Sequence, residues 1–155
     1  MLYIILKTVH LLSIIVWLGG MAFAHFFLRP ALQQLEPPQR LMLMRDVLGR
    51  FFAVVLVIIA AVLLSGIGMM GLVHQMAAQA SAKFSMPVSW MVMAVLGLAM
   101  MAVFGHIRFA LFKRLDRAVN AQDWPAGGKA LGQIRQLVAL NLALGVVIVL
   151  FLRVP

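Results

Sequence analysis

The sequence contains no cysteine and only four acidic residues. The lack of cysteine excludes disulfides, thiolate metal sites and a cysteine nucleophile. The four acidic residues all lie in segments that connect apolar runs, and no serine or threonine has both a histidine and a carboxylate in evident reach. A hydrolytic site that works by paired acid and base is therefore not expected.

Charged residues of either sign are also scarce. They make up 11% of the 155 residues, whereas 65% are hydrophobic, and an ordinary globular protein carries about 25% charged residues. Runs of about 20 apolar residues can span a bilayer. Four such runs occur, at about 3–28, 51–74, 87–112 and 136–152. The sequence predicts a single four-helix transmembrane domain over residues 1–155, in which the first run is a retained helix rather than a cleaved signal peptide.

The three connections between these runs differ in charge. The first and third are rich in arginine and lysine, and the second contains only Lys83. Because basic connections favour the cytoplasmic side, we expect an antiparallel four-transmembrane-helix bundle with both termini on the outer side. Glu36-Pro37-Pro38 and Gly127-Gly128 are expected to punctuate the connections. The net charge of +9 then reflects topology and anionic lipid headgroups, not nucleic acid.

The first apolar run carries ionisable side chains at membrane depth, which makes each of them a functional candidate. At about 100° per residue, one stripe of this helix holds Lys7, His10, Trp17, Met21 and His25. Such a stripe is expected to face the bundle interior. Lys7 and His10 also fit purely structural roles, because a lysine near the surface can extend to water and a core histidine can bond a backbone carbonyl or a serine.

The four histidines fall into two pairs at opposite ends of the predicted bundle. His10 and His74 lie toward the outer side, and His25 and His106 lie toward the inner side. Imidazoles are common axial ligands of haem iron, so each pair predicts a bis-histidine haem b site. The inner pair agrees better in depth, at about 15 and 10 Å from the bilayer centre, against about 8 and 17 Å for the outer pair. His74 is equally well explained as a solvated loop residue.

Other residues near these histidines would complete a haem pocket. Arg29 and Arg108 lie near the inner pair and could bind haem propionates, although both also fit the positive-inside pattern. Lys7 and Trp17 share the stripe of His10. Glycines at 19–20 and 66–71 would let a macrocycle, or simply a neighbouring helix, approach the backbone closely.

The methionines suggest a different metal. Six of the 12 methionines cluster with His74 near the outer ends of the second and third helices: Met69, Met70, Met76, Met86, Met91 and Met93. Thioethers combined with imidazole suit Cu(I). The alternative copper ligands are therefore His10, His74, Met69, Met70 and Met76. Methionine is also an ordinary apolar filler, and the closely spaced repeat of dedicated copper-binding loops is absent.

The pattern Lys7-x-x-His10, followed by Trp17-Leu18-Gly19-Gly20, resembles the opening helix of the bacterial copper resistance protein D (CopD-like) family. It is more distantly similar to HemJ, a haem-binding protoporphyrinogen oxidase, from which the sequence departs at residues 22–30 and 91–94. The resemblance implies a four-helix unit of the bacterial inner membrane, involved in copper uptake or haem chemistry. It makes His10 the leading ligand candidate and His106 the next.

We therefore expect a small membrane cytochrome b with one or two haem b groups between the first three helices. It would move electrons between the quinone pool, or another reductant, and an outside acceptor. The alternatives are Cu(I) uptake or homeostasis through histidine and methionine, and a structural subunit with no cofactor. The expected partners are the lipid bilayer and a quinone or redox protein, and the sequence is also compatible with a homo-oligomer.

Overall fold

The computed structural model of the protein describes residues 1–81, 83 and 85–151. These residues form four long helices, each long and apolar enough to cross a membrane: α1 (Leu2–Gln34), α2 (Pro37–Gln79), α3 (Val88–Asn120) and α4 (Trp124–Phe151). The described part of the chain contains no strand. The predicted all-helical fold with four membrane-spanning helices is confirmed. Leu152, the last residue of the fourth predicted span, lies outside the described residues.

The bundle is held together by two closely packed helix pairs, α1 with α2 and α3 with α4. At its centre, the ring of Phe52 meets Phe104 and Phe112 edge-on, with centroids 5.6 and 5.5 Å away. Trp17 packs edge-on against Phe104 at 6.2 Å. Large apolar side chains also cover the outer surface, as expected of a surface that contacts lipid: Ile4, Ile15, Val57, Leu64 and Leu150.

α2 begins earlier than the expected start near residue 51. It contains 43 residues, about 64 Å at 1.5 Å per residue, so it extends well beyond a hydrocarbon core of about 30 Å. Its first turn starts at Pro37, where the missing N–H of proline costs nothing. Outside the apolar run, the Arg45 guanidinium donates a hydrogen bond to Asn120 Oδ1 at 2.9 Å and lies 3.7 Å from Asp116. These contacts join the extended ends of α2 and α3.

α4 also begins earlier than expected, at Trp124 rather than near residue 136. Asp123 caps it, because its Oδ1 accepts a hydrogen bond from the Ala126 N–H at 3.0 Å. The prediction that Gly127-Gly128 lies in the connection between α3 and α4 is wrong, because both residues are helical. A Cβ at Gly127 would lie 3.2 Å from Leu41 Cδ1. The absent side chain therefore lets α4 approach α2, and the chain reverses at residues 121–123.

Two π-helical turns interrupt the helices at one end of the bundle, where α1 joins α2 and α3 joins α4. We call this end the basic end. The first turn is Ala24–Leu28, which precedes Pro30 in α1, and the second is Ile107–Leu111 in α3. His25 lies within the first turn and His106 immediately precedes the second. Single π turns inside helices are often found at functional sites.

Candidate functional site

His10 on α1 is the buried histidine among the described residues, with 8% of its surface exposed. Its Nδ1 lies 3.1 Å from the Val62 carbonyl oxygen and 3.0 Å from Ser65 Oγ, both on α2. The Ser65 hydroxyl donates its own proton to the Ala61 carbonyl, so its oxygen is available to accept. His10 therefore has both kinds of partner, carbonyl and serine, that the sequence left open.

One tautomer of the neutral His10 ring satisfies the Val62 contact. A carbonyl oxygen only accepts hydrogen bonds, so the tautomer with a proton on Nδ1 can donate it to Val62. In the neutral ring, Nε2 then keeps its electron pair. Histidines that bind metals commonly hold the other ring N–H against a backbone carbonyl in the same way. The carbonyl contact of His10 is thus compatible with Nε2 as a ligand atom.

His10 lines a cavity of about 320 Å³ between α1, α2 and α3, away from the basic end. Four methionines line the same cavity: Met70, Met86, Met93 and Met101. We call it the thioether cavity. None of its described lining residues carries a full charge. A Cβ at Gly66 would lie 3.5 Å from His10 Cε1, so the glycine lets the α2 backbone lie against the imidazole. The arrangement offers one imidazole and soft sulfur atoms in an apolar cavity that opens to the outer surface of the bundle, where Ile67 and Leu98 are exposed.

A second cavity, of about 210 Å³, lies between α1, α2 and α4 at the basic end. Its lining includes His25 and three arginines, Arg29, Arg40 and Arg135. We call it the arginine cavity. The described lining residues include no carboxylate, and the ion pairs among the described residues join Arg45 to Asp46 and Asp116 instead. This cavity is suited to an anion rather than to a metal cation.

The predicted haem pairs do not share a cavity in the described part of the chain. His25 is half-buried in the arginine cavity, with its ring edge-on to Phe26 at 4.9 Å, whereas His106 is exposed and outside both cavity linings. His74 is exposed near the end of α2, away from the lining that contains His10. No cluster of three or more histidine or carboxylate side chains suited to a metal occurs among the described residues.

The remaining residues that the sequence predicted for the site lie in different parts of the structure. Trp17 is buried in the aromatic core and lines neither cavity, and Lys7 is exposed. The Arg108 guanidinium lies 5.3 Å from the centre of the Phe112 ring, outside the arginine cavity. Of the proposed copper ligands, Met70 lines the thioether cavity with His10, whereas Met69 and Met76 lie outside that lining.

Sequence reasoning missed Ser65 as the partner of His10, Met101 as a cavity residue, and the placement of Arg40 and Arg135 in one cavity. One signal was available for the methionines. Met93 and Met101 are eight residues apart on α3, close to two helical turns, and Met86 lies just before this helix. No comparable signal exists for Ser65 or the arginines, because their neighbours lie on other helices.

Taken together, the four apolar helices define a multi-pass membrane protein with one imidazole–thioether cavity and one arginine-lined cavity. A family model described as copper resistance protein D (CopD) matches residues 45–154. The match covers more than half of the chain, and the chain belongs to the copper resistance protein D family. No curated protein and no solved structure matched the chain.

Proposed function

We propose that the protein binds Cu(I) in the thioether cavity and serves copper uptake or homeostasis at the bacterial inner membrane. The observation that carries the proposal is that His10, whose Nδ1 lies 3.1 Å from a backbone carbonyl oxygen, lines one cavity with four methionines. Thioether and imidazole ligands favour Cu(I) over the harder divalent metals. Copper is the cargo in this proposal, and His10 Nε2 and the methionine sulfurs are the atoms that would hold it.

Membership of the copper resistance family supports copper as the metal. The family match includes the four cavity methionines, and His10 lies ahead of it on α1. The absence of cysteine leaves methionine as the source of sulfur ligands. If both termini lie outside, as the basic connections indicate, the thioether cavity is in the outer half of the bilayer. Copper would then reach it from the outer side of that membrane.

The experiment is a Cu(I) competition titration of the purified protein against a chromogenic Cu(I) chelator. His10→Ala is expected to weaken Cu(I) binding by about 100-fold or more, because even a residue that only supports a ligand contributes about 10–100-fold. Met93→Leu keeps the side-chain volume but removes a sulfur, and it is expected to weaken binding by about tenfold.

Matched controls separate the cavity from the ligand set predicted by sequence alone. Met76→Leu and His74→Ala alter residues outside the cavity lining, and each is expected to leave the Cu(I) affinity nearly unchanged. Met42→Leu, on the far part of α2, controls for the general loss of a methionine. If His74→Ala and Met76→Leu weaken binding as much as His10→Ala and Met93→Leu, the ligands are the sequence-predicted set and the cavity proposal is wrong.

The alternative is a haem b protein that transfers electrons across the membrane, with His10, His25, His74 and His106 as the candidate ligands. Its support is the suitability of imidazole for haem iron and the arginines near His25. Because the described cavity linings contain one histidine each, we place it second. An optical spectrum of the purified protein distinguishes the two. Reduced b-type bands that are lost in His106→Ala would favour haem, and a colourless protein that retains Cu(I) favours copper.

A further inference from the structure

We propose that the arginine cavity binds the phosphate group of an anionic phospholipid, with an acyl chain lying along the apolar side of the cavity. This inference is independent of copper, because it concerns different residues at the opposite end of the bundle. Nothing in the copper resistance family match assigns a ligand to this cavity.

The first argument is the concentration of unbalanced positive charge. Arg29, Arg40 and Arg135 come from three different helices, and Arg40 and Arg135 lie close enough for their charges to act on Arg29. The described lining contains no carboxylate to neutralise them. Arg135 is exposed and Arg29 and Arg40 are half-buried, so water partly screens their mutual repulsion, but the three guanidinium groups still make this opening attractive to an anion. Phosphate is the anion that guanidinium groups bind best, through paired N–H donors.

The second argument is the amphipathic lining. Met44 and Leu48 follow Arg40 along α2 toward the bilayer centre, and Val138 follows Arg135 along α4. Arg29 lies roughly 20 Å along α1 from the predicted centre of its span near residue 15, which is the level of the headgroups. The cavity is therefore cationic at headgroup depth and apolar deeper in the bilayer, as a phospholipid requires. Basic pockets between transmembrane helices commonly bind anionic lipid headgroups.

The third argument is that α4 presents open space to this cavity. Gly128 and Gly132 both line it, and a Cβ built at either glycine meets no atom within 4 Å. At Gly20 and Gly145, by contrast, a Cβ would collide with Phe51 or Leu18, so those glycines serve helix packing. Gly132 is half-buried and leaves part of the cavity unfilled, whereas Gly128 lies at its exposed rim.

The test is native mass spectrometry and equilibrium titration of the full chain in neutral detergent, with phosphatidylglycerol, phosphatidylcholine and inorganic phosphate as separate probes. Phosphatidylglycerol is expected to bind at least about tenfold more tightly than phosphatidylcholine. The double variant Arg40→Gln/Arg135→Gln is expected to lose about tenfold or more of that affinity. Arg50→Gln, an exposed arginine outside the lining, is expected to change it by less than about twofold.

A second variant tests the site without changing its charge. Gly132→Leu is expected to fill the cavity and to weaken phosphatidylglycerol binding by about tenfold, whereas Gly19→Leu, at an equally open but exposed position, is expected to leave it intact. Thermal unfolding of the lipid-free variants verifies that each one folds.

Four results would overturn the proposal. Equal binding of phosphatidylcholine would remove the role of the anion. Displacement of the lipid by inorganic phosphate at equal concentration would assign the site to free phosphate. An equal loss of phosphatidylglycerol affinity in Arg50→Gln would indicate that the lipid responds to the positive surface potential in general. A haem that is held by the three arginines would indicate that the cavity binds haem propionates instead. A failure of Cu(I) binding would leave this lipid site unaffected, so the two proposals fail separately.

Discussion

The two cavities lie at opposite ends of one bundle, share α1 and α2, and have opposite chemistry. The thioether cavity has an imidazole and four methionines with no charged lining residue, and the arginine cavity has three guanidinium groups around a half-buried imidazole. The comparison shows that the neighbours of a histidine in a membrane helix decide which ligands it can bind. His10 is oriented by a carbonyl, whereas His25 lies among cations that would repel a copper ion.

The aromatic core between the two cavities is where we expect a single substitution to lower the free energy of unfolding most. Phe52 is 1% exposed and contacts Phe104 and Phe112. Phe52→Ala is expected to lower the free energy of unfolding by about 3 kcal/mol, because the cavity it leaves removes packing contacts. Denaturation in detergent measures the change, with lipid-facing Leu64→Ala as the control. A loss equal to that of Leu64→Ala would contradict the assigned core.

Ser65→Ala changes only the thioether cavity, because it removes a hydrogen-bond partner of His10 and leaves the arginine cavity intact. The His10 Nδ1–H would keep the Val62 carbonyl but lose one acceptor. We expect the Cu(I) affinity to fall by about tenfold, which is the lower end for a residue that orients a metal ligand. The chelator competition measures it, and phosphatidylglycerol binding should not change.

Ser13→Ala is the matched control for this variant, since Ser13 lies on α1 and makes no hydrogen bond to His10 among the described residues. A loss of Cu(I) affinity in Ser13→Ala equal to that in Ser65→Ala would show that the orientation of His10 is not what Ser65 contributes.

Asn141 should give the smallest effect. Its Nδ2 donates to the Met100 carbonyl at 3.0 Å, and its buried Oδ1 has no partner among the described residues. Asn141→Leu loses a hydrogen bond that is worth about 0.6 kcal/mol in a membrane but also removes an unsatisfied oxygen. We expect unfolding free energies of the variant and the parent to agree within about 1 kcal/mol. A loss above about 2 kcal/mol would mean that Oδ1 binds a group from outside the chain.

The fold was predictable where a property depends on one helix alone. The four apolar runs gave the four spans, and the periodicity of α1 gave the stripe on which His10, Trp17 and Met21 are buried. The starts of α2 and α4 were missed because charged and glycine-containing segments resemble connections. Asp123-Trp124-Pro125 was the overlooked signal, since aspartate caps a helix and proline fits its first turn.

The candidate site was less predictable because it depends on contacts between helices. Depth along the bilayer suggested pairing His25 with His106, but depth does not give the direction of a side chain around its helix. Ser65 meets His10 across 55 positions of sequence, and Arg29, Arg40 and Arg135 meet across three helices. Contacts of this kind follow from how helices cross, and the period of a single helix does not contain that information.

X-ray absorption spectroscopy at the copper edge of the Cu(I)-loaded protein identifies the atoms that bind copper. We predict a coordination shell with both nitrogen and sulfur, in which His10→Ala removes the nitrogen and Met93→Leu reduces the sulfur. A shell of oxygen and nitrogen alone, or a spectrum unchanged in His10→Ala, would contradict the assignment of copper to the thioether cavity.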